Sequence, residues 1–423
     1  MSKLALFGGN KHISKPLKLY RTIGVEEEKI VQDVMKSGCL SGYVGAWCDE
    51  FNGGPYVQEF EKQWSKKFNI KHSVAVNSNT SGLIAALGAI GLSPGDEVIV
   101  PAWSMSATST APIFYGGVPI FVDIEENTFC LNVELVEEAI TPKTKAIIAV
   151  NLFGHPAELR RLKVLADKMN IFLIEDNAQA PLAKEFGNYT GTIGHVGVFS
   201  LNYHKHIHTG EGGVCVTNDD ELAIRMQGIR NHGENIVESL NLNPVNMIGF
   251  NFRMTELSAA IGIEQLKKID NFVNSRIQIS KEISMFIKDN IEFIQPPITR
   301  QNCEHVYYLW GGKFNTEIAH TSLEIFSKAL HAEGCPNSFG YVKPLYNLPM
   351  FQRKIGLGRN GFPFNLSNID YSQVKCPVAE KLFNEELFEL FVCSYDLNEK
   401  DLDLMLGSIL KVYENIHELK NID

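Results

Sequence analysis

The chain has 423 residues, of which 44% are hydrophobic and 21% are charged, as in an ordinary globular protein. Its formal net charge of −10 argues against nonspecific nucleic-acid binding, which requires a basic surface. No apolar run approaches the roughly 20 residues that span a bilayer. The first residues also lack the long apolar core of a signal peptide. Its eight cysteines form no Cys-x-x-Cys pair, so we expect reduced thiols in a cytoplasm.

Strands and helices alternate along the first part of the chain. Helices are predicted at 22–38, 56–69, 80–91 and 156–169. Short apolar runs predict strands at 73–76, 97–100, 118–122, 145–150, 171–175, 196–200 and 213–217. Because these strands alternate with helices and are apolar on both faces, they predict an α/β fold with a buried, mostly parallel sheet.

The pattern changes after residue 253. A long helical region is predicted at 253–288 and is expected to be broken once or twice. Beyond it, the sequence predicts a strand at 305–314 and helices at 320–333 and 399–419. We therefore expect three parts, which are an N-terminal arm over 1–20, a large domain over 21–275, and a smaller α+β domain over 276–423.

The stretch NYHKHIHTGEGG, at 202–213, presents three alternating histidines with a lysine among them. On an extended segment His204, His206 and His208 point to one side and Lys205 to the other. Three histidines can bind zinc, but nothing nearby in sequence supplies partners for the imidazoles, and a metal cation would repel the lysine. The histidines are better interpreted as polar loop residues, and no metal site is predicted.

Lys205 follows the end of a predicted strand. Ligands of open α/β sheets bind beyond the carboxyl ends of the strands, so Lys205 is expected to share one ligand site with the residues at the other strand ends. A partly desolvated lysine there can act as a nucleophilic amine. Asp176 ends a strand and would be a buried carboxylate, which is costly unless it faces a cation. Pyridoxal phosphate (PLP) needs such a lysine, and a carboxylate beside its pyridinium nitrogen.

The remaining needs of PLP are met in the same loops. The segment Ser78-Asn79-Thr80-Ser81-Gly82 opens a helix whose free N–H groups and hydroxyls suit a phosphate, and Ser200 adds a donor. Trp103 is a candidate to stack on the cofactor ring, Ala178 is small enough to let the other face approach, and Gln179 can reach the phenolic oxygen. Alone, each residue has an ordinary explanation, such as a helix cap or a core position; their order along the chain favours the cofactor.

Several stretches also resemble a known family, the DegT/StrS-type sugar aminotransferases among the fold-type-I PLP enzymes. The resemblance runs from about residue 20 to the C-terminus, and it is carried by NIKHSVAVNSNTSGL, SPGDEVIVPAWSMSAT, IEDNAQAP, GVFSLNYHKHIHTGEGG and MIGFNFRMTELSAAIGIEQL. It implies an aspartate-aminotransferase-like fold with a seven-stranded sheet. It also implies a homodimer with its active sites at the subunit interface.

The resemblance assigns roles to individual residues. Lys205 would be the Schiff-base lysine, Asp176 the pyridinium partner, Gln179 the phenolic-oxygen contact and Trp103 the stacking residue. The other implied cofactor contacts are Asn79, Thr80, Ser81, Ala178, Ser200, Asn202 and Asn251, the last reaching the phosphate of the neighbouring subunit. The family usually has glycine where Asn79 stands, and Asn202-Tyr203-His204 is an uncommon version of its segment.

The implied activity is a ping-pong aminotransferase. Glutamate or glutamine would donate the amino group, and a keto-sugar, usually nucleotide-linked, would accept it to give an amino sugar for surface polysaccharide or a secondary metabolite. Arg253, Lys343 and Tyr346 are candidate substrate contacts. One branch of the family has histidine in place of the lysine and deoxygenates sugars, so the lysine favours transamination.

Three other activities remain as alternatives. The first is a PLP-dependent dehydratase, and the second is a non-catalytic regulator that binds PLP or a sugar on the same fold. A nicotinamide dehydrogenase ranks last because no G-x-G-x-x-G follows the first strand.

Overall fold

A seven-stranded sheet organises the first half of the chain in the computed structural model, which describes residues 3–233, 236–240 and 247–420. Its strands are β1 (His72–Val76), β2 (Glu97–Pro101), β3 (Val118–Val122), β4 (Thr144–Val150), β5 (Phe172–Asp176), β6 (Val196–Ser200) and β7 (Gly213–Thr217). They lie in the order β1-β7-β6-β5-β4-β2-β3, and only β7 runs antiparallel to its neighbours. The predicted mostly parallel sheet is therefore confirmed, and each strand lies within one residue of its predicted ends.

Helices cover both faces of this sheet. They are α1 (Val25–Ser37), α2 (Pro55–Phe68), α3 (Asn79–Ala89), α4 (Val133–Ala139), α5 (Leu159–Met169) and α6 (Asp220–Arg230). Nearly all of α3 is buried, as expected of a helix that is apolar all round. At Gly82 a Cβ atom would come within 2.5 Å of the Val198 side chain, so only glycine allows α3 to lie this close to β6.

A single helix of 35 residues, α7 (Glu256–Asn290), follows the large sheet. The prediction that this region is broken was wrong. The helix continues because its buried stripe runs from one core to the next: Ile263 and Ile269 pack under the large sheet, and Ile283 and Ile287 pack under the second sheet. The predicted domain boundary near residue 275 falls inside α7 and stays a prediction.

The second sheet is small and antiparallel. Its strands are β8 (Ile294–Gln295), β9 (Trp310–Phe314), β10 (Asn337–Phe339) and β11 (Leu387–Leu390), in the order β8-β9-β11-β10. Two longer helices, α8 (Leu323–Ala332) and α9 (Glu399–Glu414), share the hydrophobic core of this small sheet. Short α-helices occur at Ala107–Thr110, Ile236–Ser239, Thr316–Ala319, Pro349–Gln352 and Pro377–Lys381, and two-residue strands at Lys184–Glu185, Asn188–Tyr189 and Cys303–Glu304.

Only the last five residues of the predicted strand 305–314 join the small sheet. The residues before them bond elsewhere: the N–H of Val306 donates to Gly154 O at 3.0 Å, and the N–H of Tyr308 donates to Phe153 O at 2.8 Å. This pairing ties the entrance of β9 to the loop after β4. It thereby carries Tyr308 to the edge of the large sheet.

The N-terminal residues pack on the small sheet. Leu4, Ile13 and Leu17 are buried in its core, and the N–H of Ala5 donates to the carboxylate of Glu333 at 2.8 Å. In the described part of the chain, no helix is long and apolar enough to cross a membrane.

Candidate active site

Lys205 lies in the loop after β6 and is 9% exposed. Its amine sits 4.4 Å from the centre of the Tyr308 ring. Burial lowers the pKa of Lys205 from its ordinary value of 10.5 to about 8, although the nearby Asp176 carboxylate acts in the opposite direction. A larger share of this amine is therefore neutral, and hence nucleophilic, near neutral pH than in an ordinary lysine.

Asp176 is the last residue of β5 and is almost completely buried. Its carboxylate accepts hydrogen bonds from Thr108 Oγ1 at 3.0 Å, from the N–H of Ala178 at 3.3 Å and from Asn79 Nδ2 at 3.4 Å. Burial raises the pKa of Asp176, and these neutral donors together with Lys205 oppose that rise. A buried carboxylate held by neutral donors is suited to a cationic group placed against it.

The N-terminus of α3 faces the same strand ends. Ser78 caps the helix, accepting the N–H of Ser81 at 3.1 Å, and the hydroxyl of Ser81 donates to Asn77 Oδ1 at 2.6 Å. Thr80 is exposed in the first turn. Asn79 bonds both Asp176 and the carbonyl of Val198, so its amide is directed at the carboxylate rather than along the helix axis. The free N–H groups of this turn form an anion site.

The loop residues after β6 lie at this end of the sheet too. Ser200 is half-buried, and its Oγ accepts the N–H of Asn202 at 3.3 Å. The amide of Asn202 donates to Glu211 at 2.8 Å. Ala178 is half-buried beside Asp176. The structure therefore brings these predicted cofactor contacts to one edge of the sheet.

Gln179 is held by two residues with an unusual backbone. Its Oε1 accepts the N–H of Phe153 at 2.7 Å, and its Nε2 donates to the hydroxyl of Tyr341 at 2.9 Å. Phe153 and Tyr341 have φ values of 56° and 50°, in the left-handed region that non-glycine residues rarely adopt. Such strain costs roughly 1–3 kcal/mol and concentrates at functional sites.

Trp103 lies where it cannot stack on a ligand in this structure. It is 0% exposed, its indole N–H donates to Val342 O at 2.6 Å, and its ring meets Phe153 and Tyr341 edge to face. No open face remains for the predicted stacking on a cofactor ring. Met105, two residues further along the same loop, is 59% exposed.

Asn251 and Arg253 lie at the end of β1. The N–H of Asn77 donates to Phe252 O at 2.9 Å, and Arg253 Nε donates to Asn251 Oδ1 at 2.9 Å. Asn251 is exposed. This pair therefore borders the anion site at the start of α3, from the outside of the subunit.

The two candidate substrate contacts in the segment 340–351 differ in exposure. Lys343 is exposed. Tyr346 is buried, its hydroxyl donates to Glu380 Oε1, and the N–H of Cys376 donates to that hydroxyl at 3.2 Å. The structure therefore contradicts substrate contact by Tyr346, because its polar atom is used inside the core.

The three histidines around Lys205 have three different environments. His204 is exposed, His206 is buried with Nε2 donating to Val306 O at 2.9 Å, and His208 accepts the N–H of Gly210 at 3.2 Å. Burial lowers the pKa of His206 to about 4, so this ring is neutral. No group of three metal-binding side chains that could hold an ion occurs among the residues described.

Sequence reasoning missed three residues that contact the site: Thr108, Tyr308 and Tyr341. Thr108 stands in the quoted PAWSMSAT segment, so its place after β2 was a usable signal. Tyr308 and Tyr341 come from the second half of the chain. No local pattern there distinguishes them from core tyrosines.

Comparison with known protein families identifies the family of this chain. The model of the DegT/DnrJ/EryC1/StrS aminotransferase family matches residues 23–390. The chain is a member of this family. It is similar to GDP-perosamine synthase of Escherichia coli O157:H7, with 33% identity over 82% of this chain and 90% of that protein. It is also similar to L-glutamine:2-deoxy-scyllo-inosose aminotransferase of Streptomyces kanamyceticus, with 34% identity over 78% of this chain and 80% of that protein.

The solved structures agree. The X-ray structure of an aminotransferase from Psychrobacter cryohalolentis superposes with a TM-score of 0.83, at 26% identity, over 95% of this chain and all of that one. The protein is thus a PLP-dependent aminotransferase of the DegT type, and the expected fold type is confirmed. The geometry fits the cofactor, since a buried carboxylate, a lysine with lowered pKa and a free helix N-terminus meet at one edge of the sheet.

Proposed function

We propose that this DegT-type aminotransferase transfers the amino group of glutamate or glutamine to a nucleotide-linked keto-sugar. The amino sugar would serve a surface polysaccharide or a secondary metabolite. The names of the relatives support this acceptor class, since one makes a GDP-linked amino sugar and another aminates a cyclic polyhydroxy ketone. The observation that carries the chemistry is the burial of Lys205 beside Asp176 at the carboxyl edge of the sheet.

Bound PLP supplies an electron sink for the bonds at the amino-bearing carbon. The Nζ atom of Lys205 would hold the cofactor and, when free, would accept the proton from the α-carbon of the donor. Its lowered pKa suits this exchange, because a general base works best when its pKa lies near the working pH. Asp176 would keep the pyridine nitrogen protonated, and Thr108, Ala178 and Asn79 hold its carboxylate in place by hydrogen bonds.

The phosphate group is assigned to the first turn of α3. Thr80 and Ser81 offer hydroxyls and N–H groups there, and Ser200 and Asn202 approach from the loop after β6. Gln179 is assigned to the phenolic oxygen. Trp103 supports this wall from behind as a core residue, and the exposed Met105 is the better candidate for contact with the ring.

We propose a homodimer with its sites at the subunit interface. Large apolar side chains are exposed on the loops around the site, where Met105 is 59%, Tyr203 70% and Ile248 69% exposed. We propose that a partner subunit would cover these side chains, as it covers exposed apolar surface at protein interfaces. Asn251 would then reach the partner's phosphate site, and Arg253 would face its substrate. Light scattering of the purified protein tests the stoichiometry.

A cytoplasmic location is also proposed. All eight cysteines are free, which is typical of proteins from a reducing compartment. Cys39 and Cys48 are exposed and also unpaired.

The test is a visible absorption spectrum of the purified protein with PLP, before and after addition of glutamate or glutamine. We expect a yellow band that bleaches with the donor and returns when a keto-sugar is added. If the band bleaches with the donor and none of the added keto-sugars restores it, the proposed acceptor class would be contradicted. A band indifferent to both donors would favour the dehydratase or the regulator.

A further inference from the structure

A cavity of about 180 Å³ lies between the small sheet and the candidate active site. Its lining includes Tyr308, Ser338, Tyr341, Glu389 and Cys393. These residues come from the entrance of β9 and from the segments around β10 and β11. The cavity is therefore built by the second half of the chain.

Two of the lining residues also contact the site. The Tyr308 ring covers the amine of Lys205 at 4.4 Å, and the Tyr341 hydroxyl accepts a hydrogen bond from Gln179. The cavity thus begins directly behind the residues assigned to the cofactor. The side chains of Tyr308 and Tyr341 therefore stand between the cavity and the residues assigned to the cofactor.

Glu389 is the ionisable residue that decides the character of this cavity. It is 2% exposed in the centre of the small sheet, where it pairs with Gly311 and Ser338. Its neighbours Phe388 and Leu390 point into the core of the small sheet, so Glu389 points to the opposite face, toward the cavity.

The carboxyl group of Glu389 is under-used by the protein. Its Oε1 accepts the N–H of Tyr341, and its Oε2 has no hydrogen-bond partner among the residues that the structure describes. Burial raises the pKa of Glu389 to about 7. Burying a carboxyl group without a cation costs free energy. An apolar residue at this position would make the folded state more stable, so stability alone does not explain the glutamate.

The lining excludes some ligands and favours others. No lysine, arginine or histidine lines the cavity within the described part of the chain, so a phosphate or carboxylate would meet Glu389 without a compensating charge. A hydroxyl or amine can donate to the free oxygen of Glu389. The rings of Tyr308 and Tyr341 offer apolar surface to the carbon skeleton of the same ligand.

We propose that this cavity holds the polyhydroxy ring of the amino-group acceptor and that Glu389 selects it by accepting a hydrogen bond from a ring hydroxyl or amine. This inference rests on the proposed keto-sugar acceptor. It adds that the ring of the acceptor is the part that enters the cavity beside the small sheet. Any nucleotide or phosphate group must point away from this cavity. A site built to bond a hydroxyl strongly rejects ligands that lack it, so Glu389 is a specificity-determining residue.

The test measures binding without turnover by isothermal titration calorimetry. The PLP-loaded protein is titrated with 2-deoxy-scyllo-inosose, a ketone. The protein already converted to its amine form by glutamine is titrated with GDP-perosamine, an amine. Neither pair can react. Glu389→Gln is compared with the wild type, and Glu324→Gln, an exposed glutamate on α8, is the matched control.

We expect at least one probe to bind the wild type and the Glu324→Gln variant equally. Glu389→Gln should weaken that binding by about tenfold or more, as for a lost bond to a charged acceptor. Bleaching of the cofactor band by the donor should keep its rate in the Glu324→Gln variant. If Glu389→Gln loses the native circular dichroism spectrum, Ser338→Ala replaces it in the test. Ser338 lines the same cavity, and its substitution should also weaken binding of the probe.

Two results would overturn the proposal, and they are distinguishable. Equal binding of a probe to the wild type and to Glu389→Gln removes the role of Glu389 but leaves the keto-sugar acceptor standing. Binding of neither probe to the wild type, with normal bleaching by the donor, overturns the acceptor class and this inference together.

Discussion

The amine of Lys205 lies 4.4 Å from the centre of the Tyr308 ring. The ring attracts the charged amine, yet it also helps to bury it. Burial is the larger effect, because the pKa of Lys205 falls to about 8 in spite of Asp176. Two hydrogen bonds to the loop after β4 hold Tyr308 there, from the N–H of Val306 to Gly154 O and from the N–H of Tyr308 to Phe153 O.

Removing this ring should change the pH at which the lysine reacts. Only the neutral amine adds to an aldehyde, so the rate of PLP addition to the cofactor-free protein should rise with pH through about 8. Tyr308→Ala exposes the amine, and its midpoint should move upward toward the ordinary value. Tyr308→Phe keeps the ring and should leave the midpoint in place. Stopped-flow absorbance over a pH series measures both, and an unmoved midpoint in Tyr308→Ala would mean that the ring does not shield the amine.

Lys205→Ala should abolish turnover while preserving the fold. The variant loses both the covalent attachment and the proton carrier, so we expect a rate loss of about 10³-fold or more. Absorbance should show PLP without the band of the wild type, and circular dichroism should be unchanged. Lys267→Ala, an exposed lysine on α7, is the control and should keep full activity. A Lys205→Ala protein that retains most of its transamination would remove the assignment.

Asp176→Asn separates catalysis from stability. The amide cannot balance a protonated pyridine nitrogen, so turnover should fall by roughly 10²-fold or more. Burial disfavours the charged carboxylate at this position, so the melting temperature of the cofactor-free variant should stay equal or rise. Thr108→Val removes one of the three hydrogen bonds to Asp176 and should lower the rate much less. Near-normal turnover of Asp176→Asn would contradict the pyridinium role.

The sequence predicted one side of this site better than the other. Lys205, Asp176 and Ser81 follow buried strands, and the rule that parallel strands share a carboxyl edge brings them together without further knowledge. Tyr308 and Tyr341 are more than 100 residues away along the chain from these strands. Their positions depend on how the small sheet docks on the large one, and no local pattern encodes that contact.

The errors have a similar physical origin. Trp103 follows β2, and a large aromatic residue at a strand end suits a cofactor ring as well as a core; which of two loop residues points outward depends on the turn. The region 253–288 was expected to be a helix broken once or twice, and the polar Arg276 lies in its middle. Arg276 is instead buried there, with its guanidinium 3.8 Å from the Tyr20 ring centre, so the helix runs on.

Tyr346→Phe tests whether the hydroxyl of Tyr346 binds substrate or stabilises the fold. Its hydroxyl bonds Glu380 and receives the N–H of Cys376, both inside the protein. Losing these bonds should lower the free energy of unfolding by about 1–3 kcal/mol, because the buried N–H of Cys376 and the half-buried carboxylate of Glu380 both lose a partner. The KM for the acceptor should not change. Urea unfolding and steady-state kinetics measure the two quantities, with the exposed Lys343→Ala as the companion variant of unchanged stability. A raised KM with unchanged unfolding would return Tyr346 to the substrate site, because the hydroxyl would then matter to the ligand and not to the core.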